Sequence, residues 1–352
     1  MKNEQKMFFL QNIDDLNEGL KESNTTEYEV LTDAYVVGDV SFGPYYFTVW
    51  EMGMIREGEK QKMCLRVKET LYSDRKSATK NGFYHGGGIA EEIIALSSLA
   101  LHKRFILGTI VRINDIPTII RGQNYIDESL VKTPVPTDVT VLFQFFELIK
   151  GLSVEYHLKF ILAVRLYHQA LLVIEDQPDI AYLNLVSSIE TLCQDYVIEG
   201  MTLLQIDENL SNLVNSIEDK TMSNEIEKAI LRREKFINKK FVAFIKEYTE
   251  ESFWIRNDRP EFGRINPDQF EEILKRIYKQ RSKYLHTGEP FPKSIYFKPP
   301  AGAEMDAAIA MMSKGKLWEQ KDFIPYPHFF EKLVNHVLMN FLKKNQVGIP
   351  NQ

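Results

Sequence analysis

The chain has 352 residues, 44% of them hydrophobic and 26% charged, with a formal net charge of −6. That length suffices for two domains and a sizeable core, and the composition is that of a soluble globular protein. The acidic balance excludes the global positive field that advertises nucleic-acid binding, so a polyanion partner has to meet a local basic face.

The opening "MKNEQKMFFLQNIDDLNEGLKE" holds a four-residue apolar run and then turns acidic, which fits neither a signal peptide nor a transit peptide. No uninterrupted apolar run is long enough to span a bilayer, so no membrane partner is expected and the location expected is cytoplasmic. Cys64 and Cys193 are isolated, without metal or redox spacing, and read as reduced, packed side chains.

"EYEVLTDAYVVGD", "YYFTVWEMG" and "KMCLRVKETLY" are rich in Val, Tyr, Phe and Thr and broken by Gly, which predicts strands. An amphipathic helix, "GIAEEIIALSSLALHKR", follows, and then a further strand, "RFILGTIVRIND". Residues 1–130 are therefore expected to form an α+β domain. "VKTPVPTD", at 131–138, is the expected linker, since its prolines oppose helix and strand alike. Beyond it the period turns helical, predicting helices near 139–150, 153–176, 178–199, 203–217, 223–249, 266–286 and 327–345. Residues 139–352 thus read as an all-α bundle. Its most irregular part is 287–326, which carries Pro290, Pro292, Pro299, Pro300, Pro325 and the "AGAEMDAAIAMM" patch.

The string "HGGG" at His85 to Gly88 resembles an oxyanion-hole loop, but no Gly-x-Ser-x-Gly elbow accompanies it, and it reads as a loop entering the helix at Ile89. No Walker A string, His-Glu-x-x-His string or dinucleotide glycine fingerprint is present, and no cofactor is expected. Histidines 85, 102, 157, 168, 328 and 336 lack metal-ligand spacing, so no metal is expected either. His168, beside Tyr167 in a mostly apolar helix, reads as a satisfied core or interface histidine.

In "AYLNLVSSIETLCQDY", Leu185, Ile189, Leu192 and Tyr196 repeat at helical spacing around Glu190. Val186 and Gln194, one turn to either side, offer no positive charge. Glu190 is therefore either buried against a cation from another helix or exposed on a wet face. The helix of "RSKYLHTGEP" is well punctuated. Asn266 suits its N-cap, Pro267 its first turn and Asp268 its dipole, while Gly288 and Pro290 stop it. Phe270, Ile273, Leu274, Ile277, Tyr284 and Leu285 form one apolar stripe, and Arg281 interrupts it. That arginine has to snorkel out, meet a carboxylate such as Glu190, or face a partner chain. His286, five positions on, falls about 140° around the helix from Arg281, and Ser282 is its same-face neighbour. Arg281 and His286 converge only if the helix unwinds near Gly288 or a second copy brings its own pair across a two-fold axis.

Arg281 and His286 with four residues between them resemble the signature of HEPN domains. "QPDIAYLNLVSSIETL" is similar to the helix preceding that motif in Apea-like HEPN proteins, and "GGGIAEEIIALSSLAL" to a segment upstream of their bundle. The resemblance covers mainly 139–345. It implies a dimeric HEPN-like helical bundle and a metal-independent endoribonuclease of the kind found in toxin, phage-defence and RNA-processing systems. Arg281 and His286 would be its catalytic pair, composite across a homodimer. One departure is Ser282, where active members often carry Asn, Asp or His; serine is polar but does not titrate.

The chemistry implied needs a base for the 2′-hydroxyl, an acid for the leaving 5′-oxygen and positive charge at the phosphate. Histidine can serve as base or acid and arginine as a two-donor clamp. Ser282 would donate to phosphate or orient His286, and Glu190 would support Arg281. Tyr284 can stack on a base or pack in the core. The products expected are a 2′,3′-cyclic phosphate and a 5′-hydroxyl.

RNA also needs an electrostatic footprint. Residues 220–246 carry eight Lys/Arg against three Glu, and Lys275, Arg276, Lys279 and Lys283 add to them. Arg232, Arg233, Lys239, Lys240, Lys279 and Lys283 are the candidate RNA contacts, with a solvated helix face as the other reading. The alternatives to the nuclease are a non-catalytic HEPN module, which binds nucleic acid or nucleotide or scaffolds a defence complex, and a purely structural bundle. In the nuclease reading, residues 1–130 would be a sensor, a specificity module or an activity brake.

Overall fold

The computed structural model describes residues 6–19, 22–32, 34–49, 61–70, 88–117, 137–196, 204, 208–233, 237–313 and 316–347. Residues 85–87 of the "HGGG" string and 131–136 of the expected linker lie outside them.

The first element is a helix that the sequence analysis did not anticipate, α1 (Phe8–Asn17). Met7 at its N-cap offers no side-chain bond. The cap comes instead from Glu92 in α2 (Ile89–Leu101), whose carboxylate accepts the backbone N–H groups of Phe8 at 3.0 Å and Phe9 at 2.8 Å. A buried negative charge there meets the first free N–H groups and the positive end of the helix dipole.

The strands β1 (Ser23–Thr32), β2 (Val36–Val37), β3 (Asp39–Phe42), β4 (Tyr45–Val49), β5 (Gln61–Thr70), β6 (Phe105–Ile113), β7 (Ile116–Pro117) and β8 (Thr137–Asp138) follow in chain order. Six of them form one antiparallel sheet in the order β3-β4-β5-β1-β6-β7. β2 and β8 pair in parallel beside it, so residues 137–138 of the expected linker are part of a ladder. The strand pattern has the period of two that sorts side chains between faces. Tyr45, Phe47, Leu65, Val67 and Val30 are buried in the common core. The other face aligns Tyr46, Arg66, Glu27 and Arg112 in one row, where Arg66 and Arg112 lie 2.5 and 3.3 Å from the Glu27 carboxylate.

The helix-rich half comprises α3 (Val141–Gly151), α4 (Val154–Val173), α5 (Pro178–Cys193), α6 (Glu208–Asn215), α7 (Lys220–Arg233), α8 (Ile237–Tyr248), α9 (Phe270–Thr287) and α10 (Pro327–Lys344). α5 is central, packing on α4, α8, α9 and α10. α2 packs on both β6 and α4, so one continuous core runs from Phe9 and Val30 through Leu96 to Val164 and Leu185.

Two expectations are corrected. The single helix expected over 223–249 is two helices, α7 and α8. Residues 139–352 are not purely helical, because 287–326 contains an antiparallel hairpin of β9 (Ala310–Ser313) and β10 (Lys316–Glu319). The hairpin is anchored by Trp318, which is buried and carries the Lys316 ammonium 3.8 Å from its ring centre. Among the described residues no helix is long and apolar enough to cross a membrane.

Candidate functional site

The site is built on α9. A 3₁₀ turn, Pro267–Gln269, leads into it, and the Asn266 side chain accepts the Asp268 N–H at 3.1 Å, as an N-cap residue should. At the other end Gly288 has φ +69°, and its N–H reaches the Tyr284 carbonyl at 3.2 Å. That left-handed stop favours glycine. Gln280, buried, donates to the Pro290 carbonyl at 2.8 Å and ties down the chain beyond.

α9 stays helical through Thr287. The unwinding that would swing His286 toward Arg281 does not occur. The two residues keep a separation of about 140° around the axis and about 7.5 Å along it.

Arg281 does meet Glu190. Its Nη2 lies 2.6 Å from Glu190 Oε2, and the two side chains are 19% and 13% exposed. Tyr278, one turn earlier on α9, donates its hydroxyl to the other carboxylate oxygen at 2.9 Å. Burial first, and the bond to Glu190 second, raise the Tyr278 phenol well above its ordinary range, so it stays a donor. Glu190 is thus the buried carboxylate of the two readings, and its cation comes from another helix. Arg281 Nε is buried with no hydrogen-bond partner among the described residues. Cys193, the neighbour on α5, has its thiol pushed up to about 12 by burial and then by Glu190, which keeps it protonated.

His286 is exposed and has no hydrogen bond among the described residues. Ser282 is half-buried beside it. Leu285 belongs to the apolar stripe by spacing and yet is 50% exposed. Tyr284 takes the core alternative: its hydroxyl donates to Asp179 at 3.1 Å, and its ring lies 5.1 Å from that of Phe291.

The basic footprint is largely engaged. Lys283 pairs with Glu289 at 3.0 Å, and Lys316 shares that carboxylate. Lys240 donates to the Gln194 carbonyl at 2.7 Å, at the C-terminus of α5. Lys246 and Lys275 both reach Glu271, and Arg276 holds the Gln320, Lys321 and Phe323 carbonyls. Lys279 is exposed without a partner among the described residues, and Lys239 is half-buried. Arg232 and Arg233 fall on α7, but their side chains lie outside the described residues.

Sequence reasoning missed Tyr278, although its position three residues before Arg281 puts both on one helix face. It also missed two buried charges elsewhere. Glu331 accepts from the Tyr167 hydroxyl and lies 2.8 Å from His102 Nε2. Glu304 forms a two-point pair with Arg259 at 2.8 and 2.7 Å. Among the described residues no group of three His, Cys, Asp or Glu side chains is placed to hold a metal ion.

No protein-family model matches this sequence, no curated protein is detectably similar to it, and no solved structure matches its fold.

Proposed function

We propose that the chain is a HEPN-type, metal-independent endoribonuclease whose Arg281 and His286 act across a homodimer, in an Apea-like defence or toxin setting. The observation that carries this reading is the unequal treatment of Arg281 and His286 on one helix end. Arg281 is held by Glu190, which also accepts from Tyr278, and its buried Nε is left without a partner, whereas the His286 side chain stands exposed on another face with no partner among the described residues.

A fixed arginine and a separate imidazole are the division of labour that phosphodiester cleavage asks for. The first neutralises the phosphate and the second moves a proton. Since the helix keeps the two apart, the second chain has to supply one of them. Leu285, a half-exposed apolar side chain next to His286, is the kind of residue that such an interface covers. Ser282 would then donate to the phosphate, and Lys279 and Lys283 would line the RNA path, with Lys239, Lys240, Arg232 and Arg233 further out. The N-terminal sheet would act as sensor, specificity module or brake.

The test is a gel assay on total RNA in EDTA. Wild type should cut it to fragments ending in 2′,3′-cyclic phosphate, and Arg281→Ala and His286→Ala should leave it intact. Equal inactivity of all three proteins ends the nuclease reading. A monomer by light scattering at micromolar concentration ends the composite site.

One observation favours the second reading, a non-catalytic HEPN module that binds nucleic acid or nucleotide or scaffolds a complex. The Glu190 carboxylate already occupies the Arg281 charge, and Ser282 follows in place of a titratable side chain.

A further inference from the structure

Away from α9, a cavity of about 180 Å³ opens where α2, β6 and α4 meet. One helical face of α4 supplies Arg165, His168, Gln169 and Leu172, at spacings that bring them into line. Ile94 of α2, together with Ile106 and Leu107 of β6, adds an aliphatic wall, and Glu91 of α2 completes the lining.

Two charged side chains line this cavity, Arg165 and Glu91, and no ion pair joins them among the described residues. Among the described residues the Arg165 side chain makes no ion pair and no hydrogen bond, and its Nη1 is buried. A buried guanidinium donor left unmade is unfavourable and awaits an acceptor. The Glu91 carboxylate accepts the Gly88 N–H at 2.8 Å, at the N-terminus of its own helix. His168 adds no charge. Its Nε2 donates to the Phe105 carbonyl at 2.7 Å, and burial lowers its pKa, which leaves the ring neutral. Gln169 adds an amide donor and acceptor.

We propose that this cavity binds a small carboxylate with a short aliphatic tail, the carboxylate on Arg165 and the tail against Ile94, Ile106 and Leu172. A guanidinium matches a carboxylate through two parallel bonds. The volume, about six waters' share of liquid, limits the ligand to a small molecule, and the aliphatic walls favour a tail over a second charge. A ligand seated there touches the sheet and both helices at once. This site is independent of the nuclease reading.

The experiment titrates full-length protein with butyrate and hexanoate by calorimetry and thermal shift. Hexanol and inorganic phosphate are the two comparators. Saturable binding of the carboxylates is expected, with a Tm that rises with ligand concentration. Arg165→Met, which keeps the stem and removes the charge, should weaken binding at least about tenfold. Leu172→Trp, which fills the tail end and leaves Arg165 in place, should also abolish it, and it carries the test if the first variant fails to fold. No saturable binding by wild type, unchanged binding in both variants, or phosphate or hexanol binding as tightly as hexanoate would each overturn the proposal.

Discussion

Arg281 on α9 and Glu190 on α5 are joined at 2.6 Å, with the Tyr278 hydroxyl completing the carboxylate from the same side as the arginine. The bond explains how a charged residue interrupts an apolar stripe without unfolding it. Both groups are well shielded from water, so each depends on the other. Glu190→Gln and Arg281→Met should each destabilise the fold by about 1–3 kcal/mol, and the double variant by less than the sum of the two. Urea denaturation of the four proteins measures this. Strict additivity would mean that the pair contributes nothing to folding.

Glu331 offers a stability change with a definite pH sign. It is buried, and desolvation alone would raise its pKa. The His102 charge and hydrogen bond, followed by the Tyr167 bond, outweigh that and hold the pKa below the ordinary glutamate value. A folded pKa below the unfolded one gives stability that is complete above the unfolded value of about 4.3 and is lost as pH falls through the folded value. Glu331→Gln should therefore be less stable than wild type at pH 7 by about 1–3 kcal/mol, with the gap closing below about pH 4. Denaturation midpoints taken from pH 3 to 8 decide it; a gap that is constant with pH would show that Glu331 does not act through its charge.

Features set by local signals are legible in the sequence, and features that depend on distant partners are not. α9 runs between its Asn266 cap and its Gly288 stop because both signals lie within the helix's own neighbourhood. The Glu190 contact is among the arrangements the sequence allows, because an acidic residue on an apolar helix and a basic residue on an apolar stripe imply each other. By contrast, α1 depends on the Glu92 carboxylate, 83 and 84 positions away from the N–H groups it caps. Glu331 finds His102 at a separation of 229 and Glu304 finds Arg259 at 45, and nothing near either glutamate announces its burial. The hairpin of β9 and β10 lies in a stretch whose prolines and small residues suppress the strand signal. The exposure of His286 was equally invisible, since periodicity gives a face but not what covers it.

Two glycines with nearly equal φ should respond differently to alanine. Gly288 has φ +69°, and an added Cβ would meet nothing within 4 Å, so Gly288→Ala should cost only the left-handed strain, about 1 kcal/mol. Gly263 has φ +67°, but its added Cβ would lie 2.7 Å from Ala303 Cβ and 2.9 Å from the Met305 carbonyl. Those groups are held in turn by backbone bonds from Glu304 and Met305 to the Gly263 carbonyl. Gly263→Ala should cost about 2–4 kcal/mol, because backbone has to move as well. Thermal unfolding of the two variants ranks them, and equal Tm losses would contradict the packing described around Gly263.

Arg259 and Glu304 are 5% and 3% exposed, and every donor and acceptor they direct at each other is matched. Arg259 also donates to the Trp254 and Ile265 carbonyls at 2.9 and 2.7 Å, and Glu304 accepts the Ile265 N–H at 2.8 Å. The pair therefore organises two irregular segments, the one before α9 and the one before α10, which hold the ends of both helices in place. Removing one member leaves a buried charge alone and is the expensive change, whereas replacing both with apolar groups removes that penalty together with the attraction. Glu304→Gln should destabilise by about 3–5 kcal/mol, and the combined Arg259→Met, Glu304→Leu variant by clearly less. Hydrogen exchange adds a local readout. In Glu304→Gln the Ile265 and Tyr326 amides should lose protection ahead of the α5 core, since both donate to Glu304, one to its side chain and one to its carbonyl. Protection unchanged at Ile265 would mean that the segment is held by something other than this carboxylate.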